Sequence, residues 1–522
     1  MKVFLEKYQN DVQGAISGWD RLLFRGTQRW LSNARGMSTY MNSHKILMKD
    51  FGRWAQGLTQ RIRSSCEEVA QKLGRPIEYL RSSRISKEER ANVIAQRDKI
   101  KEGLICGFSV VEPCLSVEVV GNKATQQLEV AMRERKCVWV YNYWNDPAYG
   151  ICHARIQTWL PFTVKVCMNG RHWLARSLSR ARIPYAKQDN AIAWVKDLNQ
   201  AQALMNAQSK TDWSLVLDGM LDRLCPAFRD LFGRERMSHY WSADETEWAT
   251  DVLFRDVQRL ETLYPRIMRY AIEVFDSPSI LRFFGRAATA EGSRHLWPHD
   301  LESNLRRRTE GVRIKHWLNR NSVKAYNKSG NILRVETTIN QPREFKVFRR
   351  PNDDGRRKLS WQKMRKGVAD LHRRGEVSQA CNDRYLEALA GVPSGHTVQE
   401  TCTVVCQRTR WKKHPIRALN LGTSGDLAIL QFIARGEHAL NGFRNRDLRP
   451  ILFPDLKTTD VKAVRRASAA TGRRLRLLRA HGLIHKIPGT HRYRPSPLGT
   501  KIAAVAIQSN NLDVEQLTKL AA

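Results

Sequence analysis

LRLLRAHGLIHKIPGTHRYRPSPLGTKI, residues 475–502, changes its periodicity twice within a short span. Leu475, Leu477 and Leu478 continue a helical apolar stripe, and Gly482 stands in the helix-stop position. Leu483-Ile484-His485-Lys486-Ile487 then reads as a strand, Pro488-Gly489-Thr490 as a turn, and His491-Arg492-Tyr493-Arg494 as the returning strand. A short basic hairpin therefore follows a long helix. Upstream, that helix runs back to about Val461, a second spans Asn441–Phe453 after Gly436, and a third spans Asp426–Arg435 with apolar Leu427, Leu430 and Ile433. Residues 424–508 thus predict helix, helix, helix, hairpin, helix.

That order, and the segment quoted above, resemble the winged helix-turn-helix domains of the MarR-like kind. The resemblance implies that the long helix from about Val461 enters the major groove while the hairpin lies against the backbone or minor groove. On it, Arg465, Arg466, Ser468, Arg473 and Arg476 of the helix would make base and phosphate contacts, joined by Lys486, Arg492 and Arg494 of the wing. The expected domain covers residues 401–522.

Charge points the same way. The chain has 88 Lys and Arg against 51 Asp and Glu in 522 residues, a formal net charge of +37. So large an excess implies a polyanionic partner, nucleic acid, with DNA favoured over RNA. It is unevenly spread: residues 401–500 hold 20 bases against 5 acids and residues 301–350 hold 13 against 4, whereas residues 201–300 hold 12 against 15. Separate binding surfaces on distinct modules are expected.

The second basic block contains NSVKAYNKSGNILRVETTIN, residues 321–340, whose period-2 alternation around Asn327–Asn331 predicts a hairpin. Lys324, Tyr326 and Lys328 share one side of the first arm, and Arg334, Glu336 and Thr338 share one side of the second. Lys324, Lys328 and Arg334 become candidate nucleic-acid contacts, and Glu336 is either a counter-ion or a metal ligand. The pattern is similar to a strand pair of rolling-circle replication initiator proteins, which cleave DNA with a Tyr nucleophile and a divalent metal. The resemblance implies Mg²⁺ or Mn²⁺ near Glu336 and a catalytic tyrosine, with Tyr326 and Tyr385 as candidates. The initiators' paired-His motif is absent, and His153 in HARIQ is the nearest analogue of a ligand.

The remaining chain predicts an α+β multidomain protein. A basic helical region is expected over residues 1–102, a mostly antiparallel sheet with helices over 103–210, a helical and mildly acidic region over 211–310, and the hairpin plus helices over 311–400. Ser242 with Glu245 three residues on reads as a helix N-terminus, with Asp244, Glu247 and Asp251 on one helical face. No internal repeat stands out. His396, Cys402, Cys406 and His414 are zinc-compatible but fit no familiar spacing, and the other cysteines read as small buried hydrophobes. Phosphate-binding loops, dinucleotide fingerprints and hydrolase motifs are missing, so no nucleotide cofactor is expected. Nor does any stretch read as a signal peptide or membrane span, which predicts a cytoplasmic, nucleic-acid-associated protein. The expected function is strand nicking or a replication- or transposition-type reaction of a mobile element. The alternatives are a non-enzymatic DNA-binding regulator and an RNA-binding protein.

Overall fold

The computed structural model describes residues 1–233, 237–286, 301–308, 311–351, 358–392, 402–412, 414–457 and 459–511. They fall into two compact units. The first comprises Ile16–Ala249 and Thr338–Ser378, and the second Met1–Ala15, Thr250–Thr337 and Gln379–Ala522.

In the first unit β1 (Val12–Thr27) leads to the helices Ala34–Ser43 and Phe51–Lys72, the short β2 (Ile77–Tyr79) and the helix Lys87–Arg97. Helix Phe51–Lys72 buries Phe51, Ala55, Leu58, Ile62, Cys66 and Ala70, the three- and four-residue spacing that its sequence carries. Four consecutive strands follow: β3 (Gly103–Asn122), β4 (Gln127–Asp146), β5 (Gly150–Gln157) and β6 (Val164–Asn169). They form the expected antiparallel sheet, with Tyr141 opposite Arg155 and His153 opposite Cys167. The last strand, β6, returns beside the first, with Arg21 opposite Asn169, giving the order β1-β6-β5-β4-β3-β2. Asn169 then caps helix Gly170–Arg180 by accepting from the Arg171 and His172 amides. A small hairpin follows, β7 (Tyr185–Gln188) with β8 (Ala191–Val195).

The second unit repeats this topology. The Thr250–Phe254 end of β9 (Tyr240–Phe254) leads to the helices Val257–Val274 and Ser277–Phe283. Next come β10 (Leu301–Arg308), β11 (Gly311–Leu318), β12 (Asn321–Lys328) and β13 (Ile332–Ile339), in the order β9-β13-β12-β11-β10. In both units a strand enters helices and is then paired with the last of four consecutive strands. Leu23-Phe24-Arg25 in β1 and Leu253-Phe254-Arg255 at the end of β9 echo each other. The repeat lies in connectivity, which is why composition did not reveal it. The 321–340 hairpin forms as expected, its turn using Ser329 and Gly330 at φ 61° and 86°.

Several local expectations fail. Residues 1–102 are not wholly helical, because β1 is a long strand, and Ser242 starts no helix, because it lies within β9. Ile16–Asp20 and Ala249–Phe254 are buried without a break. A strand covered on both faces shows no alternation, so its sequence is ambiguous between strand and helix. The Ser242/Glu245 pattern is a local signal that tertiary pairing overrides. On β9, Asp244 bonds Arg25 at 2.7 Å while Asp251 bonds Arg334, so these acids do not gather on one face. β10 likewise replaces part of the helical middle expected over 211–310, and β11 precedes the hairpin of the 311–400 block.

Arg334 of β13 is fully buried, and its Nε and Nη2 donate to Asp251 Oδ1 and Oδ2 at 2.6 and 2.9 Å. Such a fork is strong only while both partners remain. Asp251→Ala should cost about 3–5 kcal/mol in urea denaturation, and Asp251→Leu combined with Arg334→Leu should recover most of that loss.

Candidate nucleic-acid interface

Residues 424–511 of the second unit fold into helices Ser424–Ala434, Gly436–Asn441, Asn445–Leu452 and Val461–Ala480, a hairpin of Ile484–Lys486 with Tyr493–Pro495, and a last helix Pro497–Asn511. Ile429, Leu430, Phe432, Phe443, Leu478 and Ile502 share one apolar core. Asp460 opens the long helix by accepting from the Ala463 amide, and Gly482, at φ 71°, closes it. Asp426, almost wholly buried, locks the module's interior, accepting from Arg417 at 2.6 and 2.7 Å and from the Asn420 amide at 3.0 Å. Burial alone would raise the Asp426 carboxyl, but the bonds from Arg417 and Asn420 and the charges of Arg417 and Arg474 hold it below its ordinary value.

Helix Val461–Ala480 divides cleanly. Ala467, Thr471, Leu475 and Leu478 face the core, whereas Lys462, Arg465, Arg466, Arg473 and Arg476 are exposed. At 100° per residue those five cations lie within an arc of about 100°, along about 21 Å of helix. None has an ion-pair partner among the described residues. Neighbouring Arg474 is drawn to Asp426 at 3.6 Å, and the Arg479 guanidinium sits 5.0 Å from the Trp411 ring centroid. Lys462 belongs to the cationic face although the motif did not single it out.

Three expected contacts are otherwise engaged. The Ser468 hydroxyl donates to Asn445 Oδ1 at 3.1 Å, and Asn445 Nδ2 donates to the Ser468 carbonyl at 2.9 Å, so Ser468 ties two helices together. Arg492 donates to the carbonyls of Asn441 and Gly442, and Arg494 to that of Ala439. Both hairpin arginines thus satisfy carbonyls at the end of helix Gly436–Asn441, where the helix leaves them open. Lys486 remains exposed on the hairpin.

The β12–β13 hairpin is a buried polar layer rather than an open basic face. Arg334 is held by Asp251, Lys328 is half-buried, and Lys324 Nζ lies 2.5 Å from Glu336 Oε1. The Tyr326 hydroxyl donates to Glu336 Oε2 at 3.1 Å. Burial would raise the Glu336 carboxyl, yet the charges of Lys324 and Arg334 and the bonds from Lys324 and Tyr326 keep it below its ordinary 4.5. Glu336 is among the described residues whose carboxylates could hold a metal ion, with the Lys324 ammonium beside its Oε1. Tyr326 is 7% exposed. Tyr385 is fully buried: its hydroxyl lies 3.1 Å from His316 Nε2 and its ring packs on Phe275 and Phe283, so no phosphodiester reaches it. Burial drives its phenol well above the ordinary value.

His153 belongs to the first unit and Glu336 to the second. Burial and the charges of Arg21 and Arg155 push the His153 imidazole down to about 4, leaving it neutral beside the Tyr143 ring. Among the described residues it joins no group of three possible metal ligands. His396 lies outside the described residues. No helix among the described residues is long and apolar enough to cross a membrane. No protein-family model, no curated protein and no solved structure matches the chain.

Because Glu336 titrates below its ordinary 4.5 in the fold, its ion pair stabilises fully at neutral pH and is lost as pH falls through the folded value. Glu336→Gln should therefore cost about 3 kcal/mol at pH 7, with the deficit shrinking below pH 4.5, in denaturation series at several pH values.

Proposed function

We propose that this protein binds nucleic acid, duplex DNA foremost, through its C-terminal module acting as a winged helix, with helix Val461–Ala480 in the major groove. The observation that carries the reading is the unpaired arc of Lys462, Arg465, Arg466, Arg473 and Arg476 opposite a buried apolar stripe. A solvated helix face would intersperse carboxylates, and this one has none between Asp460 and the helix end. Exposed Lys486 extends the positive surface onto the hairpin, while Arg492 and Arg494 shape the hairpin instead of contacting phosphate. On this reading the protein is a DNA-binding regulator or replication factor. Structured RNA is the competing ligand.

A specific contact favours strand processing as a second reading. Tyr326 already donates its hydroxyl hydrogen to an ionised Glu336, the arrangement by which a carboxylate takes the proton of an attacking phenol, and Lys324 stands beside both. Attack would form a Tyr326 oxygen–phosphorus bond as the bond to the leaving sugar oxygen breaks, with the phenolic proton passing to Glu336. Mg²⁺ or Mn²⁺ would neutralise the phosphate. The near-complete burial of Tyr326 ranks this reading second.

Replacing Arg465, Arg466, Arg473 and Arg476 together by Ala should weaken duplex binding by roughly tenfold or more at 0.1 M salt, with circular dichroism unchanged. An unchanged affinity rejects the helix as the interface, and a stronger preference for structured RNA rejects duplex DNA as the target. Binding alone predicts gel shifts of supercoiled plasmid without nicking. Strand processing predicts metal-dependent nicking that Tyr326→Phe and Glu336→Gln each abolish.

A further inference from the structure

A cavity of about 690 Å³ opens in the first unit where the chain leaves β1, beside helix Ala34–Ser43 and the start of β9. Its size suits a small ligand. The Gln28 side chain, 1% exposed, lines it with both its oxygen and its nitrogen unpartnered among the described residues. The nearby His239 Nε2 is also buried without a partner, while the ring bonds the Phe162 backbone. Burial pushes His239 down to about 4, so at neutral pH its free nitrogen accepts a hydrogen bond. Buried polar atoms left open in this way ask for a ligand whose edge carries both donors and an acceptor.

The walls are aromatic and cationic. Tyr40 is stacked on His44 with centroids 4.0 Å apart, the Arg29 guanidinium lies 3.5 Å over the Tyr240 ring, and Trp30 stands 65% exposed at the rim. On the other side of the Tyr40–His44 stack a second cleft, of about 580 Å³, is lined by Arg53 and Trp54. Arg53 is exposed and has no ion-pair partner among the described residues. Two clefts that share the Tyr40–His44 ring pair, each with an aromatic ring and a cation without an ion-pair partner among the described residues, offer adjoining places for two bases.

We infer that these clefts take nucleobases, two consecutive unpaired bases of a single strand, with Gln28 and His239 bonding the edge of the first and Arg29 and Arg53 meeting the phosphates. The Gln28 amide gives one donor and one acceptor, which suits the paired acceptor and donor of a base edge such as that of adenine. Trp30 in the first cleft and Trp54 in the second supply stacking faces. The strand as source rests on the nucleic-acid reading above, whereas the base-shaped chemistry of the cleft does not.

The test is photo-crosslinking of the full-length protein to a ten-nucleotide single-stranded DNA carrying 4-thiothymidine beside adenines, with adducts mapped by mass spectrometry. Adducts on Trp30, Tyr40, Trp54 or Tyr240 are expected. Gln28→Met, which removes an unsatisfied amide without opening a cavity, should lower their yield roughly fivefold or more while leaving thermal stability and duplex binding unchanged. Arg53→Ala, on an exposed helix surface, should weaken the strand by roughly threefold. Competition by adenosine monophosphate as efficient as by the oligonucleotide identifies a free nucleotide as the source, and much weaker competition identifies the strand. Adducts confined to residues 461–494 overturn this inference and leave the duplex interface standing. Loss of all nucleic-acid binding by the wild type overturns both, and equal yields from wild type and Gln28→Met overturn the role of the base edge.

Discussion

Carboxylates are the limiting group in this protein, and where they lie decides where the charge is left over. With 51 acids for 88 bases, many cations must remain unpaired. Several buried acids serve cations inside the units. Asp251 holds Arg334, Glu336 holds Lys324, Asp426 holds Arg417, and Glu112 accepts from Tyr141 while pairing with Lys87 and Arg155. An unpaired charge in those places would be prohibitive, so the acids are tied to the interior. Helix Val461–Ala480 consequently carries its excess outward, with no ion-pair partner among the described residues for its five exposed cations, which is the charge that the proposed polyanionic ligand would meet.

The same partition separates structural basic residues from available ones. Arg334, Arg492 and Arg494 look like phosphate contacts in the sequence, yet the first is sealed by Asp251 and the other two satisfy open helix carbonyls. A count of charges registers all of them alike. Which carbonyl lies within reach of a guanidinium depends on chain reversal at Gly442 and on the hairpin turn, and this is tertiary information.

How much of the fold was legible follows from how local each marker is. Gly482, the Pro488-Gly489 turn and the Leu475/Leu478 stripe are decided within a few residues, so the long helix, the hairpin and the last helix could be read directly, whereas the separate helix Gly436–Asn441 could not. β3 to β6 were legible because β-branched and aromatic runs are separated by turn residues. β1 and β9 were not, since burial on both faces removes alternation. The Lys324–Glu336 contact follows from hairpin register, but its burial depends on covering layers that the hairpin sequence does not encode. Asp251 and Arg334 are 83 residues apart, and Gln28 meets His239 in one cavity from opposite ends of the first unit's main segment. Neither pairing carries a sequence signal.

The repeated connectivity of the two units adds a further contrast. β12 and β13 of the second unit bury a carboxylate between a lysine, a tyrosine and an arginine, whereas in the first unit β5 presents His153 and Arg155. One framework thus carries two different polar interiors, and the cationic C-terminal module belongs to the second unit alone. That module's helix is the surface proposed to meet duplex DNA electrostatically. The most direct test is the salt dependence of duplex affinity for the wild-type protein between 50 and 300 mM. Release of counterions by about five helix cations predicts a slope of log K against log salt of about −4 or steeper. A slope near zero, with affinity retained, would contradict it.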